Sequence, residues 1–257
     1  MVRPASVSRF LMAVDLDPHP TSVVASVRRK TDGVESEVDW GDVSPEELVD
    51  AATPWRTFRW YHGQKHYSGA YWSSTERALV IYESRLELAR LLLADFDRSV
   101  RRILAQPFLL EADVAGARRR HVPDYLLMSD DGPMVVDVKP ARRLAKPQVA
   151  LTFAWTRLVV ESRGWRYQIA SEPAEPELNN VRFLAGYRRD WLFDDDLLAG
   201  LRSVDLHGAT LGEAVRCLPG QPEPVVRSAV LHLLWRHHFT VDLSKTLTSR
   251  TVLGMRS

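Results

Sequence analysis

The stretch "HVPDYLLMSDDGPMVVDVKP", residues 121–140, holds two apolar runs either side of a turn, with Asp124 in the first and Asp137 and Lys139 in the second. Charge inside apolar strands is costly unless it is paired or used. "SDDG" is a strong hairpin signal, so the two runs read as antiparallel neighbours. Alternation along a strand sets Val135, Asp137 and Lys139 on one face and Met134, Val136 and Val138 on the other. The second set is apolar and belongs to the core, so Asp137 and Lys139 are expected to point away from it together. A loop of Asp130–Asp131 places Asp124 directly across from Asp137, and a loop of Asp131–Gly132 places it across from Lys139. Either register keeps Asp124 on that same face, with opposed Cβ atoms about 5 Å apart. A three-residue loop would turn it to the other face.

Two carboxylates this close repel each other and raise one pKa unless a cation intervenes. Mg²⁺ suits such a pair, because it is a hard ion that takes one or two carboxylates and keeps several waters. A metal there would polarise a phosphate and lower the pKa of its bound water, and the lysine ammonium would meet developing charge. The set Asp124, Asp137 and Lys139, with Glu83 as a third carboxylate, therefore points to phosphodiester hydrolysis.

Outward from this hairpin, "STERALVIYESRLELARLLLADF" (74–96) is rich in helix formers and free of Gly and Pro, which predicts a helix or a turn of strand followed by one. Glu83 and Glu87 are placed four apart on one face of it. "ILAQPFLLEAD", "RHVPDYLLMS" and "PMVVDVKP" read as three strands, 144–163 as a helix stopped by Gly164, and "WRYQIASE" (165–172) as a strand. Arg118, Arg119, Arg120, Arg142, Arg143 and Lys146 flank the site, where cations would meet DNA phosphates. A solvated basic surface explains them equally well.

Residues 1–53 stand apart: from Asp32 to Asp50 there are eight acidic residues and no basic one, which suggests an acidic arm or appendage. Within it "SPEELVDAA" (44–52) carries a helix start, with Ser44 as N-cap, Pro45 first and Glu47 three residues after the cap. In 54–75 aromatic residues alternate with basic ones, a pattern fit for stacking on nucleic acid or for packing onto the core. His62 and His66 flank Gly63, which disfavours the helix that would make them metal ligands. "EPAEPE" (172–177) reads as a linker between a domain over 54–172 and another over 173–257. Helices near 178–202, 210–217 and 225–238, with two short strands around Ser244–Lys245, suggest a winged-helix-like module whose 225–238 helix could read a DNA groove. His237 and His238 are expected at its surface.

The chain has 257 residues, 45% of them hydrophobic, enough for one large or two to three small domains. With 34 basic and 33 acidic residues, the overall balance says nothing about nucleic acid. A single cysteine, Cys217, excludes an internal disulfide framework and a cysteine-cluster zinc site. No apolar run reaches the roughly 18 residues of a membrane span, and the N-terminus lacks the marks of a signal peptide, so a cytoplasmic protein is expected.

The spacing of Pro123–Asp124 and Asp137–Val138–Lys139 resembles the PD-(D/E)XK nuclease superfamily. "YESRLELARLLLADFD" (82–97), "AQPF" (105–108), "RRRHVPDYLL" (118–127) and "VVDVKP" (135–140) are similar to TnsA-like endonuclease subunits of heteromeric transposases. The resemblance runs from about Trp55 through Trp165 and more weakly into "LHLLWRHHFTVDLSKTL". It implies an α/β, restriction-endonuclease-like core of helix, three strands, helix and strand, followed by a winged-helix tail. It also implies a catalytic set of Glu83, Asp124, Asp137 and Lys139, with Mg²⁺ (Mn²⁺ as substitute) held by Glu83, Asp124 and Asp137. Its implied partners are double-stranded DNA, a DDE-type transposase and an AAA+ ATPase regulator. Two other readings stand beside it: a DNA-binding or assembly protein with a vestigial site, and a stand-alone restriction or repair nuclease.

Overall fold

Val135, Val136, Asp137 and Val138 are all buried, so the strand carrying them is covered on both faces. The structure, a computed structural model, describes residues 16–31, 33–55 and 67–255. It is a mixed α/β protein whose chain divides into two units, residues 1–94 with 99–172, and residues 95–98 with 173–257. The break between Glu172 and Pro173 falls where the linker is expected.

In the first unit, β1 (Thr21–Arg28), β2 (Glu35–Asp39), β6 (Leu109–Val114) and β7 (Ala117–His121) form a sheet in the order β2-β1-β6-β7. A second sheet has the order β10-β9-β8-β5, from β5 (Val100–Ala105), β8 (Tyr125–Ser129), β9 (Gly132–Val138) and β10 (Arg166–Ala170). β9 pairs antiparallel with β8 and parallel with β10, and α4 (Pro147–Glu161) makes the crossover between β9 and β10. A hairpin of β3 (Gly69–Ser73) and β4 (Ala78–Tyr82) precedes α2 (Arg85–Phe96). Helix α1 (Pro45–Ala51) starts as expected, with the Ser44 side chain accepting from the Glu47 N–H at 3.2 Å. A short α3 (Ala141–Leu144) follows the end of β9.

Three expectations are corrected. The 103–113 run is two strands, because Pro107 has no N–H to extend a ladder and the chain leaves one sheet for the other at Gln106–Phe108. Likewise Pro123 ends the run before β8, and β7 belongs to the other sheet, closed onto β6 by Ala115 and Gly116 at φ 49 and 73. The acidic segment is no appendage to its neighbour. β1 pairs with β6, and Trp40, Val43, Leu48 and Val49 join one core with Phe108, Leu126, Val135, Phe153 and Trp165. Its charges sit on the exposed positions of an amphipathic layer, and composition alone hides the apolar ones.

The second unit is built from α5 (Glu175–Leu184), α6 (Asp195–Ser203), α7 (Leu211–Ala214) and α8 (Glu223–Trp235), with β11 (Phe239–Thr240) paired to β12 (Gly254–Met255). The two short strands expected around Ser244–Lys245 are this pair, set further from those residues in the chain. Every residue of α8 from Ala229 to Trp235 is buried, so α8 is the core helix of its unit and keeps little surface for a DNA groove. His237 is partly buried, with its ring 4.2 Å from that of Phe96 and Nε2 2.5 Å from the Phe96 carbonyl, and burial lowers its pKa.

Trp40 tests the role of the N-terminal segment. Its Nε1–H donates to the Val159 carbonyl at 2.7 Å and its ring meets Phe108 and Trp165 edge-on, each at 5.2 Å. Trp40→Ala is expected to destabilise the chain by about 3–5 kcal/mol in urea unfolding, as for other buried aromatic truncations. A change near zero would restore the appendage reading.

Candidate functional site

The β8–β9 hairpin pairs Ser129 with Gly132 and Tyr125 with Val136, so Asp130–Asp131 is the loop. This register sets Asp124, one residue before β8, in line with Asp137. The face they share is not solvated. It packs against α4 and the first sheet, where Val135, Leu151, Phe153, Trp155 and Tyr167 lie in one core. The opposite face is covered as well: the Tyr125 hydroxyl reaches the carbonyls of Ile81 and Glu87, each at 3.4 Å. β9 is a central strand with a parallel neighbour, and such strands are buried on both sides.

Each acidic group has a distinct setting. Asp124 Oδ2 accepts the Val138 N–H at 2.6 Å, while no described residue donates to Oδ1. Burial first, then the charges of Asp137 and Glu87, hold the Asp124 carboxyl well above its ordinary pKa, against the pull of the Val138 N–H and Lys139. Asp137, 1% exposed, is gripped from two strands. His121 Nε2, at the end of β7, lies 2.9 Å from both its oxygens, and the Tyr167 hydroxyl on β10 donates to Oδ2. The burial of Tyr167 and the neighbouring charge of Asp137 push its phenol pKa up strongly. Lys139 is half-buried, with its backbone N–H on the Ala170 carbonyl at 2.9 Å and Nζ 5.9 Å from the centre of the Phe153 ring. Among the described residues no carboxylate lies within ion-pair distance of its Nζ.

Glu83 is not on the helix. It follows β4 and precedes α2, and its Oε1 accepts from Gln106 Nε2 at 2.8 Å. Besides Asp137, a carboxylate whose charge reaches Asp124 is Glu87, in the first turn of α2. Glu87 also closes that turn: its Oε2 accepts the Glu83 N–H at 2.6 Å and its Oε1 the Ser84 hydroxyl at 2.8 Å. Burial raises its pKa, with the nearby Glu83 adding and the two hydrogen bonds and Lys139 opposing. Gln106 has φ 48, a left-handed conformation unfavourable for a residue with a Cβ, and its N–H bonds the Asp124 carbonyl at 2.9 Å. That unusual turn ties Asp124 and Glu83 to one residue.

Among the described residues no group of three His, Cys, Asp or Glu side chains is placed to hold a metal ion, so Glu83 does not complete the expected three-carboxylate set. Asp124 and Asp137 nevertheless fit a divalent cation. Asp124 keeps an oxygen free of described hydrogen-bond donors, and its proton affinity is raised by burial and then by the neighbouring Asp137 carboxylate, a repulsion that a cation would relieve.

The basic residues divide. Arg118 and Arg120 lie on β7 beside carboxylates of β6, Asp113 at 3.8 Å and Glu111 at 3.0 Å, while Arg119 donates to the Val114 carbonyl at 3.2 Å. Arg142, Arg143 and Lys146 are exposed on and just after α3, close in sequence to Lys139. His62 and His66 lie outside the described residues. In 67–75, Tyr71 is buried, which favours core packing for that part of the aromatic stretch. A groove of about 350 Å³ in the second unit, lined by residues including Phe183, Val215, Arg216 and Arg227, contains none of the predicted site residues.

His121, Tyr167, Gln106 and the coupling of Glu87 were not foreseen. His121 stands in the opening stretch itself, three residues before Asp124, and was the one signal available. No protein-family model matches the chain, and no curated protein matches its sequence.

The raised carboxyl of Asp124 has a consequence for stability. The folded chain keeps a proton there at pH values where the unfolded chain has lost it, so stability falls as pH rises above the ordinary value of 3.8. Asp124→Asn retains an acceptor for the Val138 N–H and removes the charge. Without divalent ions it is expected to raise stability at pH 7 by on the order of 1 kcal/mol and to flatten the decline that sets in above the ordinary value of 3.8. Chemical unfolding across that range measures both, and a destabilised variant would contradict the assignment.

Proposed function

We propose that the chain is a metal-dependent DNA endonuclease. The observation that carries this reading is the convergence of Asp124, Asp137 and Lys139 where β8 begins and β9 ends, in the spacing that resembles PD-(D/E)XK nucleases. The order α2, β5, β8, β9, α4, β10 is consistent with a restriction-endonuclease-like core, and the helices and short strand pair of the second unit with a winged-helix module. On this reading Asp124 and Asp137 hold Mg²⁺ or Mn²⁺, which when bound polarises the phosphate and lowers the pKa of its water. Lys139 meets the charge developing on the phosphate. Its charge acts on the Asp124 and Glu87 carboxyls and its Nζ lies near the face of Phe153, while no described carboxylate is within ion-pair distance of it. Glu87 caps the start of α2 and adds negative charge behind Asp124, while Glu83, expected as a third metal ligand, bonds Gln106. The exposed Arg142, Arg143 and Lys146 are positioned in sequence to follow the DNA backbone, with Arg118 and Arg120 less available because of their cross-strand partners.

The resemblance to TnsA-like subunits extends the proposal to cleavage at transposon ends beside a DDE-type transposase and an AAA+ regulator, in the cytoplasm. Among the described residues no helix is long and apolar enough to cross a membrane. A second reading, an assembly protein with a vestigial site, is favoured by the grip of His121 and Tyr167 on Asp137 and by the lack of a three-ligand group.

Cleavage of supercoiled plasmid DNA in Mg²⁺ or Mn²⁺ separates the two. The nuclease reading predicts cleavage by the wild type and a loss of about 10³-fold or more in Lys139→Ala, an electrostatic deletion at the reacting phosphate. Lys139→Ala keeps the backbone bond to Ala170 and is expected to fold normally. Cleavage undiminished in Lys139→Ala would sink the assignment, and none by the wild type would favour the vestigial site.

A further inference from the structure

Asp137 has fewer free lone pairs than a metal-binding aspartate in water, and the nuclease reading above gives no role to the two side chains that occupy them, His121 and Tyr167. An ionised carboxylate offers about four lone-pair sites over its two oxygens. His121 Nε2 sits 2.9 Å from Oδ1 and 2.9 Å from Oδ2, so it spans the chelating edge. The Tyr167 hydroxyl takes a further site on Oδ2. Among the described residues no donor takes the remaining site, on Oδ1. Neither donor is casual: the His121 side chain is 17% exposed and that of Asp137 2%, and the Tyr167 ring lies in the core with Trp155 and Phe153. The His121 ring is also held between aromatic neighbours, 6.1 Å from that of Phe153 and 6.3 Å from that of Trp155.

Cations differ in what they ask of a carboxylate. Ca²⁺ accepts six to eight oxygens at about 2.3–2.6 Å and readily takes a carboxylate by both oxygens. Mg²⁺ demands an octahedron at about 2.0–2.1 Å, binds through one or two carboxylates and keeps its waters. Mn²⁺ favours the same octahedral oxygen set. A carboxylate that can present only one oxygen suits the second kind of ion and handicaps the first.

We infer that His121 and Tyr167 are specificity-determining positioning residues, which restrict Asp137 to one-oxygen ligation and so select small octahedral cations over Ca²⁺. The inference rests on the proposed metal site and adds its selectivity. Hydrogen-bond partners behind a ligand are known to shift metal affinity about 10–100-fold when removed, so an effect of that size is accessible.

Separate calorimetric titrations of Mn²⁺ and Ca²⁺ into the full chain provide the test, with His121→Ala, His121→Gln and Tyr167→Phe as variants. The wild type is expected to bind Mn²⁺ more tightly than Ca²⁺. His121→Ala should raise Ca²⁺ affinity relative to Mn²⁺ about tenfold. Tyr167→Phe, which leaves the buried ring in place, should shift the ratio in the same direction by less. His121→Gln, whose amide can still donate, should recover much of the wild-type ratio. A merely structural role would weaken both ions alike, and an unchanged ratio in both His121→Ala and Tyr167→Phe overturns the inference alone. Absence of Mn²⁺ binding by the wild type, with and without duplex DNA, overturns the metal site itself.

Discussion

Two carboxylates pressed together at the buried end of a sheet are poor neighbours, and much of the first unit serves to keep Asp124 and Asp137 in that position. A folded protein normally avoids such a pair by separating the groups or neutralising one. Here the pair is met by hydrogen bonds from several adjacent elements. The Val138 N–H answers Asp124, His121 and Tyr167 answer Asp137, and Gln106 bonds both the Asp124 backbone and Glu83. These donors come from β7, β9, β10 and the exit of β5, so the site draws on both four-stranded sheets of its unit. The result is one carboxylate held tightly and one left protonated more readily than usual, a configuration that a divalent cation would relax. Strain or repulsion kept at one place while the rest of a unit is well packed is a common mark of functional sites.

The fold explains how so many strands reach one point. β9 lies between β8 and β10, and the parallel partner β10 brings Tyr167 beside Val135 with its hydroxyl reaching Asp137. The β6–β7 hairpin, inserted between β5 and β8, delivers His121 from the other sheet. In that first sheet β1 pairs onto β6 and β2 onto β1, and the core beneath it includes Trp40. The acidic N-terminal segment thus contributes indirectly to the site, by forming the sheet on which His121 is carried.

Local features of the sequence reported themselves well. A turn within Ser129–Gly132, the Ser44 cap, the helix before Gly164, the strand after it and the break after Glu172 are each specified by neighbours in the chain, through turn chemistry, capping and periodicity. The choice of Asp130–Asp131 over Asp131–Gly132 as the loop was not. What was hidden depended on distant partners. The burial of the Asp137 face comes from α4 and the first sheet, and no alternation within β9 can announce it. The replacement of Glu83 by Glu87 beside Asp124 follows from where α2 begins, a boundary that helix propensity leaves open over several residues. The left-handed Gln106 is contrary to what a residue before proline ordinarily prefers, so the sequence pointed the other way. The acidic run misled for a simpler reason: charge counts report the exposed side of an amphipathic segment and are silent about Trp40, Leu48 and Val49 on the other.

The account turns on whether Asp124 and Asp137 together form a cation site. The most direct test is thermal unfolding of the full chain with and without Mn²⁺, for the wild type and Asp124→Ala, each with duplex DNA present. A ligand that binds only the folded state raises its stability in proportion to its saturation. The account predicts that Mn²⁺ raises the unfolding temperature of the wild type and leaves that of Asp124→Ala unmoved. An equal rise in both proteins, or none in the wild type, would contradict it.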